Sequence, residues 1–282
     1  MLLHTRRRAT LRRSLRLLAS FKNEQTSPAD FYLPLARDTA DLVATLHRDA
    51  GLSSPSLLVD VGSGPGYFRE AFRPTTYISV DPYEDATVHA DGRNLPFATD
   101  SIDCTISSNA AEHVANWQQM GDEMVRVTKP GGLIILSYTI WLGPFGGHET
   151  GLWQHYIGGA FARDRYTKTH GHPPKNVFGE SLFDVSCADG IRWAHSVPNA
   201  DILGLFPRYH PQWAWWVTRV PILREFLTSN LVIVLQKAEI YPLRCTHVVR
   251  TMHIQGLRRN NVCKQSNDSY RPNPERKRGR SS

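Results

Sequence analysis

The chain has 282 residues, of which 41% are hydrophobic and 21% are charged, so it is long enough to bury a sizeable α/β core. Its net charge of +7 is unevenly distributed along the chain: residues 1–22 carry +7, residues 237–282 carry +8 and the body between them carries −8. The total charge therefore does not predict that the folded body binds nucleic acid. No stretch approaches the roughly 20 consecutive apolar residues of a membrane-spanning helix, and four scattered cysteines predict a reducing, cytoplasmic compartment.

Residues 1–54 precede the first predicted strand and are expected to be helical. Within residues 5–21, leucines recur at helical spacing among six arginines, which predicts a basic amphipathic helix. That helix could cover the domain, rest on an anionic membrane surface or serve as an organelle transit peptide. A second helix is predicted from Ser27 and Pro28, a typical N-cap and first helical residue, to Ala50.

The stretch from Leu57 to Tyr67 is the most informative part of the chain. The apolar run up to Val61 predicts a buried parallel strand, and alternating glycines then predict a sharp turn that is open to a ligand. A dinucleotide-binding turn would need glycine at Tyr67, and the carboxylate of Asp60 would repel a pyrophosphate but suit a cationic ligand. The aromatic restart after the turn predicts a helix that packs back on the strand. The motif consists of Asp60, Gly62, Gly64 and Gly66.

This motif resembles the first motif of the class I S-adenosylmethionine-dependent methyltransferases. The resemblance implies a Rossmann-like, doubly wound α/β sheet of seven strands with the last strand antiparallel, and it implies S-adenosylmethionine as the cofactor. It also implies that Asp60 acts on the amides of the turn and on the methionine ammonium group, while the glycines admit the nucleoside.

Two more acidic residues follow short predicted strands. The strand Tyr77–Val80 ends at Asp81, 21 residues after Asp60, where a carboxylate can accept hydrogen bonds from both ribose hydroxyls. A third strand, predicted over Thr87–Ala90, ends at Asp91. The resemblance implies that Asp91 binds the adenine amino group, and stabilisation of its own turn is the alternative.

The fourth predicted strand, residues 101–109, ends at Asn109 on the edge where open α/β sheets bind ligands. The resemblance adds Asn109 to the cofactor-binding residues. A helix over Trp117–Val127 and a fifth strand over Leu133–Tyr138 follow. Residues 55–140 resemble the ubiquinone-biosynthesis-type branch of the family. The motifs that carry this likeness are Asp91, Leu95-Pro96-Phe97, Glu112-His113 and Lys129-Pro130-Gly131-Gly132.

Two histidines are candidate catalytic residues. Methyl transfer requires alignment of nucleophile, methyl group and sulfur, and a hydroxyl acceptor must also give up a proton. His113 is the first candidate general base because an unperturbed imidazole titrates near neutrality, and His148 is the second. Glu112 and His113 could instead hold the loop after the fourth strand, and many family members need no base.

A long segment, about residues 141–198, is expected to be an insertion after the fifth strand. Loops of this length in a compact domain are usually lids or binding loops, so acceptor recognition is assigned to it. His148, Glu149 and His155 lack the close spacing of a metal-binding motif, so no metal is predicted.

Residues 202–206 and 231–235 predict the last two strands, which complete a methyltransferase domain over residues 55–239. Three tryptophans within residues 213–216 could pack in the core, line an apolar acceptor site or contact a membrane interface. Residues 240–282 are predicted to be a basic and largely disordered tail.

The sequence therefore predicts an S-adenosylmethionine-dependent methyltransferase that acts on an oxygen or carbon atom of a small-molecule, lipid or glycolipid acceptor. Peripheral contact with an anionic membrane is a further expected interaction. An RNA methyltransferase that uses the basic termini is one alternative, but the Asn-Pro-Pro-Tyr type signature of amino-group methylation is missing, so nucleic acid is not an expected partner. A non-catalytic protein that binds S-adenosylmethionine is the other alternative.

Overall fold

The computed structural model describes residues 2–23 and 26–239. The predicted basic tail, residues 240–282, lies outside the described residues. The described helices are α1 (Leu3–Arg8), α2 (Leu11–Ser20), α3 (Pro28–Asp49), α4 (Trp117–Val127), α5 (Gln154–Ile157), α6 (Gly159–His170), α7 (Cys187–Ser196) and α8 (Leu223–Leu227). The described strands are β1 (Leu57–Val61), β2 (Thr76–Val80), β3 (Ile102–Ser108), β4 (Thr128–Thr139), β5 (Ala200–Pro207) and β6 (Asn230–Lys237).

The strands form one sheet in the order β2-β1-β3-β4-β6-β5. Strands β1 to β4 run parallel, and β6 is antiparallel to both of its neighbours, β4 and β5. The predicted Rossmann-like α/β sheet with an antiparallel last strand is therefore confirmed, and β1 and α4 have the predicted bounds.

The prediction of seven strands is wrong for the part of the chain that the structure describes, because Thr87–Ala90 forms no strand. Val88 makes one isolated bridge to Val80. The amide of Thr87 donates to the Ser79 hydroxyl at 2.9 Å instead of to a backbone carbonyl, which stops the ladder from extending. The short connection after β2 leaves no room for a covering helix, so this segment departs from the sheet edge after a single bridge.

The turn after β1 also differs from the prediction, because no α-helix follows it. Residues Arg69–Phe72 form one turn of 3-10 helix, and Arg73 then adopts extended backbone. The residue before a proline disfavours helical backbone. Arg73 precedes Pro74, so the helix ends after one turn. Phe72 packs against β2, with its ring centroid 5.5 Å from that of Tyr77, whereas the predicted helix is expected to pack on β1.

The basic N-terminal stretch forms two helices rather than the single predicted one. Helix α1 ends at Arg8, and Thr10 is the N-cap of α2, where its hydroxyl accepts a hydrogen bond from the amide of Arg13 at 3.3 Å. A hydroxyl cap requires non-helical backbone at its own residue, which interrupts the helical run. The second predicted helix is confirmed as α3.

Ion pairs fasten these N-terminal helices to α3. Asp38, buried on α3, accepts two hydrogen bonds from the Arg13 guanidinium, at 2.7 and 2.5 Å, and one from Arg8 at 3.2 Å. Burial raises the pKa of Asp38, but Arg13, Arg208 and Arg8 together outweigh burial and hold the pKa below its usual value. Asp49 caps α1 by accepting from two backbone amides at 2.8 Å. The two short helices therefore pack on the domain through charged groups.

Apolar side chains fill both faces of the sheet. Helices α4 and α7 cover one face, where the rings of Trp117 and Trp193 meet edge to face with centroids 5.6 Å apart. Helix α3 covers the other face and buries Leu35, Leu42 and Leu46. Each buried leucine contributes about 2 kcal/mol, so packing on both faces stabilises the sheet. Among the described residues, no helix combines the length and the apolar character needed to cross a membrane.

Candidate functional site

The glycine-rich turn after β1 lies against the end of β2. The amides of Gly62 and Ser63 both donate to the carbonyl of Val80, at 2.8 and 3.2 Å. The amide of Gly64 donates to the Asp81 carboxylate at 3.1 Å. Because β1 and β2 are parallel, their carboxyl ends meet at one edge, and the structure brings the turn and Asp81 together there.

All three glycines of the turn have left-handed backbone, with φ of 72°, 55° and 76° at Gly62, Gly64 and Gly66. A side chain at Gly62 would collide with Ala110 in the loop after β3. At Gly64 and Gly66, apart from the adjoining residues, no atom of residues 2–23 and 26–239 lies within 4 Å of the position that a β-carbon would take. Glycine suits the backbone conformation at all three positions, and the open side of the turn lets a ligand approach the main chain.

Asp60 lies beneath the turn with 2% of its surface exposed. Its Oδ2 accepts a hydrogen bond from the Tyr77 hydroxyl, and its Oδ1 has no partner among the described residues. Burial raises the pKa of Asp60 to about 7; Tyr77 opposes this shift, and the charge of Asp81 adds to it. The expectation that Asp60 binds the amides of the turn is wrong, because those amides donate to Val80 and Asp81 instead.

The two other predicted acids differ in their surroundings. Asp81 is buried, and its Oδ1 accepts from the amides of Tyr83 and Glu84 at 2.9 and 3.0 Å, which fixes the carboxylate at the sheet edge. Asp91 is 46% exposed at its side chain and pairs with the Arg93 guanidinium at 2.6 Å. It also accepts from the amide of Arg93 at 2.8 Å. Asp91 therefore stabilises its own turn, whatever else it binds.

Asn109 ends β3 with left-handed backbone, φ 57°, which asparagine tolerates better than most residues. Its Oδ1 accepts from the side chain of Asn230 at 3.3 Å. Sequence reasoning missed Arg208 at the end of β5, whose buried guanidinium donates to the hydroxyls of Ser108 at 2.9 Å and Thr39 at 2.5 Å. In the sequence, an arginine directly after an apolar strand was the signal that could have pointed to Arg208. Arg208 ties α3 to the strand end next to Asn109.

Three side chains from two distant parts of the chain meet beyond the ends of β3 and β4. One ring nitrogen of His113, one of His148 and one carboxylate oxygen of Glu112 all lie within 4.8 Å of one another. Nδ1 of His113 bonds the carbonyl of Ser181 at 2.7 Å, and Nδ1 of His148 bonds that of Gly146 at 3.1 Å. Since a carbonyl only accepts, each Nδ1 carries a proton, and in a neutral ring the Nε2 then keeps a lone pair.

The carboxylate of Glu112 completes this cluster, which we call the acceptor triad (Glu112, His113 and His148). Its Oε1 accepts from the amide of Thr139 at 3.0 Å, and its buried Oε2 has no hydrogen-bond partner in the part of the chain that the structure describes. Burial lowers the pKa of His148, and His113 lowers it further, so the ring is neutral at neutral pH. With both rings neutral, the triad offers two Nε2 lone pairs and a carboxylate as hydrogen-bond acceptors, and its two Nδ1–H donors are already bound to carbonyls. It could hold a hydroxyl group, and its atoms are close enough for a metal ion, although none is predicted from the spacing.

A row of aromatic rings links the turn to the segment after β4. Tyr67 stacks on Tyr32 with centroids 5.2 Å apart, and Tyr32 contacts Phe31 at 4.9 Å. Phe31 contacts Phe21 at 5.0 Å, and Phe21 stacks on Phe145 at 4.6 Å. The N-terminal helices and the start of α3 therefore reach from the glycine-rich turn to the segment that carries the acceptor triad.

The other candidate metal ligands of the segment after β4 hold local structure. His155 is buried, with Nε2 3.1 Å from the carbonyl of Gly143. Glu149 accepts from the amide and side chain of Asn176 at 2.6 and 2.9 Å. A cavity of about 870 Å³ between α4 and α7 lies at the amino ends of the strands, on the edge opposite the turn and the triad. It is therefore separate from the candidate site.

Comparison with known proteins identifies the family. A profile described as a methyltransferase domain matches residues 59–136. An uncharacterized methyltransferase of Mycobacterium tuberculosis is 56% identical over 247 residues, which covers 81% of this chain and 96% of that protein. One from Mycobacterium marinum is 55% identical with the same coverage. The chain belongs to the S-adenosylmethionine-dependent methyltransferases, as its motifs predict.

A solved structure was also matched, an S-adenosylmethionine-dependent methyltransferase from Mesorhizobium loti. It is 18% identical, with a TM-score of 0.44, and the match covers 69% of this chain and 98% of that one. The cofactor of the family is S-adenosylmethionine, and the residues around the turn fit it. Within residues 2–23 and 26–239, the buried Oδ1 of Asp60 and Oγ of Ser63 have no hydrogen-bond partner, and an ammonium and a carboxylate group would satisfy them.

Proposed function

We propose that this methyltransferase acts on a hydroxyl oxygen of an apolar, lipid-like acceptor, with the hydroxyl bound in the acceptor triad. The observation that carries the proposal is that one carboxylate and two imidazoles, whose Nδ1–H groups are already bound to carbonyls, meet within 4.8 Å, so that with neutral rings no free donor hydrogen remains among them. A hydroxyl group supplies the missing donor, whereas a carbon acceptor does not. The triad therefore favours oxygen over carbon as the methylated atom.

His148 is the proposed general base. The carbonyl of Gly146 holds its Nδ1–H, so Nε2 is free to take the hydroxyl proton as the oxygen attacks the methyl group. Its lowered pKa keeps the ring neutral and ready to accept a proton at neutral pH. In this proposal the carboxylate of Glu112 stabilises the imidazolium that forms, and His113 positions the hydroxyl.

S-adenosylmethionine, when bound, supplies the sulfonium methyl group. We assign its binding to the carboxyl edge of β1, β2 and β3, where the open turn, the fixed carboxylate of Asp81 and the left-handed Asn109 meet. The proposed cofactor-binding residues are Asp60, Gly62, Gly64, Gly66, Asp81, Asp91 and Asn109.

Exposed apolar side chains next to the triad support an apolar acceptor. Leu152 is 69% exposed and Trp153 is 49% exposed, directly after the turn that carries His148. On α5, Ile157 is 62% exposed. We propose that the segment from about residue 141 to residue 198 recognises the acceptor and covers the site.

The experiment compares His148→Ala with His170→Ala, which makes the same change at an exposed position on α6. Radiolabelled S-adenosylmethionine is supplied with a mycobacterial lipid extract and with long-chain alcohols, and labelled methyl ethers are counted. We expect turnover to fall by about 10²–10⁴-fold in His148→Ala. Calorimetric titration should give cofactor affinity within about twofold of the wild type for both variants.

Other outcomes would contradict the proposal. Wild-type turnover that survives His148→Ala would remove His148 as the base, and label on carbon would remove the hydroxyl acceptor. Cofactor binding without turnover on any extract would favour the non-catalytic alternative. Activity that is lost to a chelator and restored by zinc would place a metal ion in the triad instead of a free hydroxyl.

The pH profile gives a second test of His148. Because burial lowers its pKa, the neutral, base-competent ring persists below the ordinary histidine value of 6.5. Turnover at saturating substrate should therefore stay constant as the pH falls to 6.5 and decline only below it. A decline that begins well above the ordinary histidine pKa would contradict the assignment.

A further inference from the structure

We propose that the protein docks on anionic lipid bilayers through a continuous surface of exposed apolar side chains bordered by arginines. The surface, called here the docking belt, comprises the exposed apolar residues of α1 and α2, of residues 152–161 and of residues 213–227. This docking proposal does not depend on the acceptor triad, and it would hold whichever molecule is methylated.

Large apolar side chains are exposed along residues 213–227. Trp213 is 70% exposed, Trp216 50%, Ile222 72% and Leu227 48%. Trp213 and Trp216 lie on a 3-10 helix (Gln212–Arg219), Leu227 is the last residue of α8, and Ile222 lies between the two helices. Apolar residues scattered singly over a surface are normal, but a contiguous run of this kind marks an interaction site.

Side-chain contacts join this run to the segment beside the triad. The rings of Tyr156 on α5 and Phe226 on α8 stack with centroids 6.1 Å apart, and both residues remain more than 40% exposed. Trp153 contacts Phe161 at 6.4 Å, and the guanidinium of Arg165 lies 5.4 Å from the Trp153 ring. The apolar surface therefore extends from α8 to α5 and α6.

The other end of the run meets the N-terminal helices. The amide of Gln212 donates to the carbonyl of Ala9, between α1 and α2, at 2.7 Å. The guanidinium of Arg6 lies 5.7 Å from the ring centroid of Trp215. Leu11 and Leu15 on α2 are 52% and 58% exposed. The belt thus continues onto α2, which the contacts of Asp38 hold against the domain.

Charge decides which occupant fits this belt. Arg7, Arg12 and Arg16 are exposed, and none has an ion-pair partner within residues 2–23 and 26–239, whereas Arg8 and Arg13 pair with Asp38. Apolar side chains flanked by unpaired arginines, with tryptophans beside them, are typical of surfaces that lie in the interface of an anionic membrane. A purely apolar protein partner would leave these three cations without counter-charges.

Docking would bring the bilayer close to the candidate site. Phe21 follows α2 and stacks on Phe145 at 4.6 Å, and the carbonyl of Phe145 accepts from the amide of His148 at 3.1 Å. The belt thus borders the same segment that carries part of the acceptor triad. A lipid-like acceptor could then reach the site from the membrane without crossing bulk water.

The test is sedimentation of the full chain with vesicles of phosphatidylcholine alone or with about 30% phosphatidylglycerol. We expect the wild type to partition at least tenfold more strongly onto the anionic vesicles. The double variant Trp213→Ser with Trp216→Ser should lose at least tenfold in partitioning, and Arg12→Ser with Arg16→Ser should lose affinity together with much of the salt dependence. Tyr83→Ser and Arg73→Ser, which alter exposed residues outside the belt, serve as matched controls.

Circular dichroism confirms that each variant is folded before its vesicle binding is interpreted. Equal binding to both vesicle types, or anionic binding that the belt variants leave unchanged, would overturn the proposal and place any membrane contact elsewhere in the chain.

Sedimentation equilibrium without vesicles adds a second check. A dimer that the tryptophan variant dissociates would show that a second copy covers the belt instead of a bilayer. None of these results depends on methyl transfer, so they are independent of the proposed function.

Discussion

The two halves of the candidate site are held together in different ways. In the cofactor half, Gly64 bonds Asp81 and Asp60 bonds Tyr77, and each pair is 17 residues apart in the chain. In the acceptor half, His113 is held by a carbonyl 68 residues away. The first half is a local motif that two adjacent parallel strands produce, whereas the second exists only when distant segments pack. Substitutions should therefore act locally in one half and broadly in the other.

Arg208 provides the test with the largest expected effect. Its guanidinium reaches Ser108 and Thr39, which are 100 and 169 residues away, and lies 3.9 Å from Asp38. Arg208→Ala should lower the free energy of unfolding by about 3–5 kcal/mol, because it breaks a buried charged network. Urea unfolding measures the loss.

Arg192→Ala, at a side chain that is 72% exposed, is the matched control and should change stability by less than about 0.5 kcal/mol. A small loss in Arg208→Ala would show that the two halves do not depend on this long-range tie.

Asp60 tests the local half through pH. Burial raises its pKa from 3.8 to about 7, so the folded state binds the proton more tightly than the unfolded state does. The stability that this proton provides is fully present below pH 3.8 and is lost as the pH rises to about 7. The stability advantage of Asp60→Asn over the wild type should therefore grow between about pH 4 and pH 7, by at most about 4 kcal/mol, and then level off.

Thermal unfolding of the cofactor-free protein across this pH range measures the difference between the two chains. Asp85→Asn, at an exposed position beyond β2, is the control and should show no such growth. A pH-independent difference for Asp60→Asn would mean that Asp60 stays ionised beneath the turn. Cofactor affinity should fall in the same variant, because a neutral amide side chain replaces the carboxylate that would face the ammonium group.

Asp81 gives the smallest expected effect. Its Oδ2 accepts from the amide of Gly64, and Asp81→Asn places an amide group where a carboxylate would bind ribose hydroxyls. We expect cofactor affinity to fall about tenfold, or about 1.4 kcal/mol, with little change in unfolding. Calorimetric titration of S-adenosylmethionine measures the change, and Asp85→Asn again serves as the control. Unchanged affinity would remove Asp81 from the cofactor site.

Much of the cofactor half can be predicted from the sequence because hydrophobic runs and glycines define it. The predicted bounds of β1 and α4 agree with the structure, and the strand before Asp81 begins within one residue of its predicted start. The strand predicted over Thr87–Ala90 is not formed, because a single bridge at Val88 does not make a strand. The predicted helix after the turn is wrong because a proline follows Arg73, and that local rule is readable from the sequence.

The sequence by itself determined which residues stand at the carboxyl ends of the parallel strands, since strand periodicity and turn glycines are local properties that bring Asp60, Asp81 and Asn109 to one edge. Only the tertiary structure decided that His148 meets Glu112 and His113, and that Arg208 joins β5 to α3. These contacts depend on how the segment after β4 and the N-terminal helices pack, and no spacing in the chain encodes that packing. The docking belt has the same origin, because exposure of a tryptophan or leucine follows from what covers it in the folded domain.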